Sequence, residues 1–188
     1  MDVRATTDPH DLRPSAWIQR FAHLVPRDGR VLDVAAGSGR HARLFASRGS
    51  RVLAVDRDAD AMRTLANVDG VVAIAADIEA SDWPFAGQTF AAVVVTNYLH
   101  RPLLAPIIAA VANDGVLLYE TFAVGNEALG RPTNPAFLLR ENELLDTVRG
   151  QLLVVAFEQG RVDGERPAIV QRIAAIGRRR HAATLTDR

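Results

Sequence analysis

Apolar residues fall in short blocks along this chain, and the spacing within the blocks alternates between two periods. Trp17, Ile18, Phe21 and Leu24 recur at helical spacing, which predicts a short amphipathic helix over Ser15 to Leu24 after an irregular start through about Arg13. Pro26-Arg27-Asp28-Gly29 reads as a turn. Compact apolar runs then predict strands at Arg30 to Val34, Arg51 to Val55, Val71 to Ala75, Phe90 to Thr96 and Gly115 to Glu120. The fourth run is unbroken, as in a strand buried on both faces. Helical patterns separate the strands. Gly39 to Arg48 is stopped by Gly49, and Asp58 to Asn67 is capped by Asp58. Pro102 to Ala112 contains Pro106, which kinks or splits it, and Arg140 to Val148 is a further helix. Leu152 to Gln159 and Ile169 to Ile176 predict two closing strands, joined by the turn-rich Gly160 to Pro167. This alternation predicts an α/β fold: a doubly wound, mostly parallel, seven-stranded sheet with helices on both faces. No helix separates the last two strands, so they form an antiparallel hairpin at one edge.

Composition narrows the chemistry. The chain has 188 residues, 48% hydrophobic and 23% charged, which suits one globular domain. We expect a segment with a short helix at 1–29, a domain at 30–177 and a polar tail at 178–188. The tail opens with Arg178-Arg179-Arg180-His181, either a solvated terminus or a minor contact to an anionic partner. Cysteine is absent, which removes disulfides, cysteine-ligated zinc and cysteine nucleophiles. All 22 basic residues other than histidine are arginine. Schiff-base lysines, Walker-type phosphate loops and Tyr/Lys dehydrogenase pairs are thereby excluded. The formal net charge is zero, against a large charge-driven nucleic-acid interface. No apolar run reaches membrane-spanning length, and Met1 to His10 is polar and acidic, unlike a signal peptide, so the expected location is the cytoplasm.

The densest chemistry lies at Val31-Leu32-Asp33-Val34-Ala35-Ala36-Gly37-Ser38-Gly39 and Val52-Leu53-Ala54-Val55-Asp56. The first strand runs into a small-residue loop and a helix; the second ends in a carboxylate. Glycines let a ligand approach the loop backbone, and helix amides follow at once. Asp56, followed by Arg57, stands where an acidic side chain accepts from two ribose hydroxyls. A phosphate beside the loop would be repelled by Asp33, whereas a cationic ligand would be attracted. S-adenosylmethionine carries an ammonium and a sulfonium and no phosphate. Gly37 to Ala42 also fits the dinucleotide pattern Gly-x-Gly-x-x-Gly/Ala.

Over roughly residues 30 to 177 the pattern resembles the class I S-adenosylmethionine-dependent methyltransferases, whose sheet is Rossmann-like. Their D-x-G-x-G-x-G loop corresponds to Asp33, Ala35, Gly37 and Gly39, with Ala35 replacing the first glycine at the loss of one methyl of clearance. The resemblance implies ribose on Asp56, the adenine amine on Asp77, and Ile78 over the ring. Thr96-Asn97-Tyr98-Leu99-His100 follows the fourth strand, and Asn97 and Arg57 are expected as further cofactor contacts. The family's Phe-Asp at the start of that strand is Phe90-Ala91 here. The Asn/Asp-Pro-Pro-aromatic motif of the base amino methyltransferases is absent, so base methylation is not assigned. Tyr119 to Pro135 is similar to small bacterial methyltransferase-domain proteins loosely likened to tellurite-resistance and thiopurine methyltransferases.

Each candidate has a plain structural alternative. Asp33 either faces the cationic end of the cofactor or caps a loop; Asp56 either holds ribose or caps a turn; Asp77 either meets adenine or bonds its own backbone. Tyr98, His100 and Glu120 lie at the carboxyl ends of central strands, where ligands bind in open α/β sheets. His100 and Glu120 are candidate general bases and Tyr98 a stacking residue. The alternatives are a loop histidine, an ion-pair partner for an arginine such as Arg131, and a cover for the sheet edge. Arg40 and His41 are expected as solvated helix residues. Trp17 and Phe21 either cover the cofactor or pack the helix, and Trp83-Pro84-Phe85 packs a loop on the sheet. No metal site is evident. The expected reaction is methyl transfer from S-adenosylmethionine to an acceptor, a small molecule in preference to nucleic acid or protein. Competing readings are a nicotinamide-dependent oxidoreductase and a non-catalytic S-adenosylmethionine-binding module. The Phe122 to Pro135 loop is expected to shape the acceptor pocket.

Overall fold

Apolar runs at 31–34, 52–55, 71–74 and 92–95 lie side by side in a seven-stranded sheet, with 71–74 at its edge. The computed structural model describes residues 12–80, 82–164, 166–180 and 182–183. Residues 1–11 of the expected irregular start, and all of the expected tail after Arg180 except 182–183, lie outside this set. The strands are β1 (Arg30–Val34), β2 (Arg51–Asp56), β3 (Val71–Ala75), β4 (Phe90–Thr96), β5 (Val111–Phe122), β6 (Leu152–Val162) and β7 (Ala168–Gly177). Their order is β3-β2-β1-β4-β5-β7-β6. The first five pair in parallel, and β7 pairs antiparallel with β5 and β6, as the missing helix required. The order reverses between β1 and β4, which opens a crevice at the carboxyl ends of the strands.

Helices cover both faces. On one, α1 (Ala16–Phe21), α2 (Arg40–Ser47) and α3 (Ala59–Leu65) bury Trp17, Ile18, Phe21, Phe45, Met62 and Leu65. On the other, α4 (Leu104–Ala109) and α5 (Glu143–Val148) bury Leu104, Ile107, Leu144 and Val148. Trp83 packs edge-on against Phe85, and Phe85 against Phe90, which seats the loop before β4 on this second core. No helix among the described residues is long and apolar enough to cross a membrane.

Three local expectations fail. The helix expected through Ala112 ends at Ala109, because Val111 pairs with Phe90 and β5 starts there. An apolar run of that length does not distinguish helix from strand by its own period. Its helical part begins as a 3-10 turn at Arg101–Leu103, so the split falls before Pro106. The helix expected from Arg140 starts at Glu143, since Asn142 is left-handed at φ 57°. Strand β6 runs on to Val162, beyond the expected end at Gln159. Arg178–Arg180 forms a 3-10 turn in which Arg180 Nη1 donates to the Leu24 carbonyl at 2.6 Å, so the first part of the tail is tied down.

Two polar networks position what the sheet edge carries. In the first, Ser15 Oγ caps α1 by accepting from the Trp17 and Ile18 amides, and donates to Glu120 Oε1 at 2.8 Å. Arg172 on β7 reaches Glu120 at 3.4 Å, pairs with Glu158, and lies 5.0 Å from the Trp17 ring. Trp17 and Phe21 are thus packing residues. In the second, Arg101 binds Glu143 through Nε at 2.8 Å and Nη2 at 2.9 Å, and also donates to the Ala136 and Leu138 carbonyls, each at 2.8 Å. One guanidinium thereby fixes the segment around Phe137 to α5.

Burial alone would raise the Glu143 pKa, but the Arg101 hydrogen bonds and then the Arg140 amide outweigh it, and the net shift is downward. A depressed carboxylate stabilises the fold above its unfolded pKa, and that stability is lost as pH falls through the folded value. Arg101→Ala is expected to lose about 1–3 kcal/mol at neutral pH, read by urea unfolding. The deficit of Glu143→Gln against the parent should shrink as pH falls below the ordinary glutamate value of about 4.3.

Candidate active site at the carboxyl edge of the parallel strands

The loop between β1 and α2 is built from left-handed residues. Ala35, Gly37 and Gly39 have φ of 54°, 55° and 75°. At Gly39 the reason is packing as well as conformation, because a Cβ there would overlap the Leu65 side chain of α3. At Gly37 nothing lies within 4 Å of where a Cβ would sit, so the loop backbone is open on that side. Ala35 is thus more than a lost methyl of clearance. A non-glycine residue in this region carries about 1–2 kcal/mol of strain.

Asp56, at the end of β2, holds the loop. Its Oδ2 accepts from the Gly37 amide at 2.9 Å and its Oδ1 from the Asp58 amide at 2.9 Å. Asp77 follows β3, and its Oδ1 accepts from the Glu79 and Ala80 amides at 3.0 and 3.3 Å, the self-bonded turn that an aspartate favours. Asp33 is 1% exposed, points toward the first core, and accepts from the Ala42 amide in the first turn of α2. Burial is the main cause that pushes its pKa up to about 7, against the lowering effect of that amide and of Arg40. Its Oδ2 is buried without a hydrogen-bond partner among the described residues.

Two clefts open on this edge. The first, about 210 Å³, is lined by Ala35, Asp56, Arg57, Asp77 and Ile78. Ala76, Glu79 and Tyr98 complete its wall. Four separate strand ends thus deliver six of the residues singled out in the sequence, Tyr98 among them, to one place. Asp33, Gly37 and Gly39 are not on this wall; they lie under or in the loop beside it.

The second cleft, about 360 Å³, shares Glu79 and Tyr98 with the first. Leu99, Phe122, Pro132 and Phe137 form its apolar sides, and Asn97 and Thr121 its other polar groups. Asn97, expected among the cofactor contacts, lies here and not in the first cleft. It is left-handed at φ 53°, and its amide donates to the Glu120 carbonyl at 3.0 Å. Tyr98 is buried, and its carbonyl accepts from the Tyr119 hydroxyl at 2.9 Å. Burial above all shifts the Tyr119 pKa upward, so that hydroxyl stays protonated and keeps donating. Phe122 and Pro132 fall within the loop expected to shape this region. Asn126 frames it, donating to the Pro132 carbonyl at 3.3 Å and accepting from the Ile169 amide at 3.1 Å.

His100 reaches the site indirectly, with Nδ1 3.7 Å from Glu79 Oε2. Glu120 does not reach either cleft. It faces α1, bonded to Ser15 and Arg172, because alternation along β5 turns its neighbours Tyr119 and Thr121 to the opposite face. Its partner is Arg172, not Arg131. His41 is also displaced from expectation: it is 1% exposed, not solvated. Its Nε2 accepts from the Ser15 amide at 3.1 Å, and Nδ1 lies 3.3 Å from Thr96 Oγ1. Burial first, then Arg40, lowers its pKa to about 3, so it is a neutral link between the N-terminal segment and the end of β4. Sequence reading missed Glu79 as a site residue, although it stands two positions after Asp77. It also missed Phe137, whose place depends on the Arg101 clamp. Among the described residues no group of three or more histidines or acids is placed to hold a metal.

Residues 31–113 match a family model described as a methyltransferase domain. No curated protein matches the chain by sequence. Among solved structures, the 1,6-didemethyltoxoflavin-N1-methyltransferase of Burkholderia thailandensis, with S-adenosylhomocysteine bound, superposes with a TM-score of 0.65 at 26% identity over 91% of this chain and 80% of that one. TehB from Haemophilus influenzae superposes with a TM-score of 0.66 at 17% identity over 85% of this chain, which spans 60% of that chain. A methyltransferase from Methanosarcina mazei gives 0.66 at 16% identity over 87% and 98%. Residues 31–113 thus form a methyltransferase domain, and the chain has the fold of solved S-adenosylmethionine-dependent methyltransferases.

Proposed function

We propose that this chain transfers the methyl group of S-adenosylmethionine to a small-molecule acceptor, with the first cleft as the adenosyl site. The observation that carries the reading is the gathering of Ala35, Asp56, Arg57, Asp77 and Ile78 in one cleft from three strand ends. Asp56 accepts from the ribose hydroxyls, and the spare lone pairs of its carboxylate suffice beside the two amides it already holds. Asp77 accepts from the adenine amine and Ile78 covers the ring. Ala35, Gly37 and Gly39 bring the loop backbone close to the ligand, Arg57 closes the ribose side, and Asn97 borders the methionine side. Asp33 supplies negative charge to the ammonium, and its orphaned buried Oδ2 fits that role. When bound, the cofactor supplies an electrophilic methyl group on a sulfonium.

The chain's own contribution is mainly to hold the acceptor in line. Tyr98 forms the shared wall of the two clefts and orients the acceptor. The Glu79–His100 pair receives a proton when the acceptor must lose one. Glu120 acts instead by anchoring Ser15 and α1. Residues 30–177 make up the methyltransferase domain, and the helix over residues 16–21 packs on it. A small acceptor agrees with the neutral net charge and with the neighbour whose name gives 1,6-didemethyltoxoflavin as its substrate. The reading puts the reaction in the cytoplasm, where the methyl donor is found. Radiolabelled methyl transfer to a panel of small acceptors tests it; cofactor binding with no transfer to any acceptor would favour a non-catalytic module.

Asp56→Ala is expected to weaken S-adenosylmethionine binding by about 1–3 kcal/mol in calorimetry. Unchanged affinity in a folded variant would remove the ribose role. Asp33 generates a pH prediction of opposite sign to Glu143. Its folded pKa of about 7 lies above the unfolded value, so the folded state holds the extra proton and stability falls as pH rises through that window. Asp33→Asn should therefore raise the melting temperature, more at about pH 8 than at about pH 5. An ammonium beside Asp33 expels that proton, so cofactor binding near pH 6 should release protons, read from the dependence of the binding enthalpy on buffer. Asp33→Asn should abolish the release.

A further inference from the structure

The second cleft carries an assignment of its own, resting on the reading of the first as the adenosyl site. It opens beside the first cleft and shares Glu79 and Tyr98 with it, so a small molecule held there lies next to the adenosyl site. Its sides are aromatic or apolar: Phe122, Phe137, Pro132 and Leu99, with Tyr98 at the back. These walls are fixed before any ligand arrives. Arg101 pins the backbone on either side of Phe137, Asn126 pins Pro132, and the Tyr119 hydroxyl pins Tyr98. A rigid aromatic slot favours flat ligands, since rings pack by offset or edge contacts without ordering cost.

Charge decides the rest. Among the described residues that line the cleft, Glu79 alone is ionisable apart from Tyr98, and no arginine lines it. The nearest clamp, Arg101, is consumed by Glu143 and two carbonyls. Among the described lining residues an anionic acceptor would meet a carboxylate and no arginine. A neutral or cationic one that presents a donor would meet an acceptor at the wall shared with the adenosyl cleft. A carboxylate is a weak base, so it suits an acceptor whose lone pair attacks before its proton leaves. Nitrogen behaves this way, whereas a hydroxyl asks for early deprotonation.

We propose that the second cleft is the acceptor pocket and that it takes a planar nitrogen heteroaromatic, neutral or cationic, with an N–H directed at Glu79. A pyridine-type ring nitrogen supplies the lone pair that forms the new N–C bond, the electrons of the broken C–S bond stay on sulfur, and the proton of the ring's N–H goes to the Glu79 carboxylate; in the cationic form that proton leaves first, which frees the lone pair.

NMR titration of the full chain, saturated with S-adenosylhomocysteine, tests this with two flat probes of opposite charge: 2-aminobenzimidazole and 2-naphthoate. The amidine-bearing probe should bind and perturb the amides of Asn97 to Leu99 and of Thr121 and Phe122, and the naphthoate should not. Phe137→Ala and Glu79→Gln should each weaken 2-aminobenzimidazole by about tenfold, and Phe137→Ala should leave the S-adenosylhomocysteine affinity unchanged. Naphthoate binding as tight as the amine, or amine binding untouched by both variants, would overturn the assignment. S-adenosylhomocysteine binding with no response to the amine overturns the ligand class alone. Absence of S-adenosylhomocysteine binding overturns the reading of the first cleft as well.

Discussion

The hydrogen bond from the Gly37 amide to the Asp56 carboxylate ties the loop after β1 to the end of β2, and the shape of the site depends on it. Together with the Ala36 amide, which donates to the Val55 carbonyl at 3.0 Å, it holds the left-handed residues of the loop over the sheet edge. With it, Ala35 is kept in a strained conformation at the wall of the first cleft. The bond also places a carboxylate between two loops where a ligand's hydroxyls can reach it.

The same edge collects negative charge. Asp33, Asp56, Asp77 and Glu79 arrive from successive strand ends, and the protein satisfies them mostly with backbone amides and not with cations. This arrangement is unfavourable for the free protein at Asp33, whose buried Oδ2 finds no partner. It becomes favourable once a cation sits nearby. Strain at Ala35 and burial of Asp33 are thus places where this chain gives up stability at its site, as functional sites commonly do. The compensation lies elsewhere, in two apolar cores and in the Arg101 and Arg172 networks.

Much of this was legible in the sequence, because the information was local. The strand-loop-helix unit over residues 30–48 and the acids at the ends of β2 and β3 follow from neighbouring residues, and the mostly parallel sheet with its antiparallel edge hairpin follows from the alternation of strands and helices. What was not legible depends on contacts distant in sequence. Ala110 to Ala112 looks helical until Phe90 supplies a strand partner for Val111. Glu120 ends a central strand and so suggests a cleft residue, yet pairing with Arg172 fixes it on the other face. His41 opens a helix and suggests a solvated side chain, yet Ser15, 26 positions away, closes over it. The wall at Phe137 exists because Arg101, far back in the chain, holds its backbone.

The central claim is that this acidic edge selects a cationic, phosphate-free nucleoside ligand. Calorimetric titration of the protein with S-adenosylmethionine and, in parallel, with NAD tests it most directly. Saturable binding of S-adenosylmethionine and none of NAD is the result the carboxylates at 33, 56 and 77 require. Binding of NAD alone would contradict the account, since a pyrophosphate would then be tolerated beside Asp33.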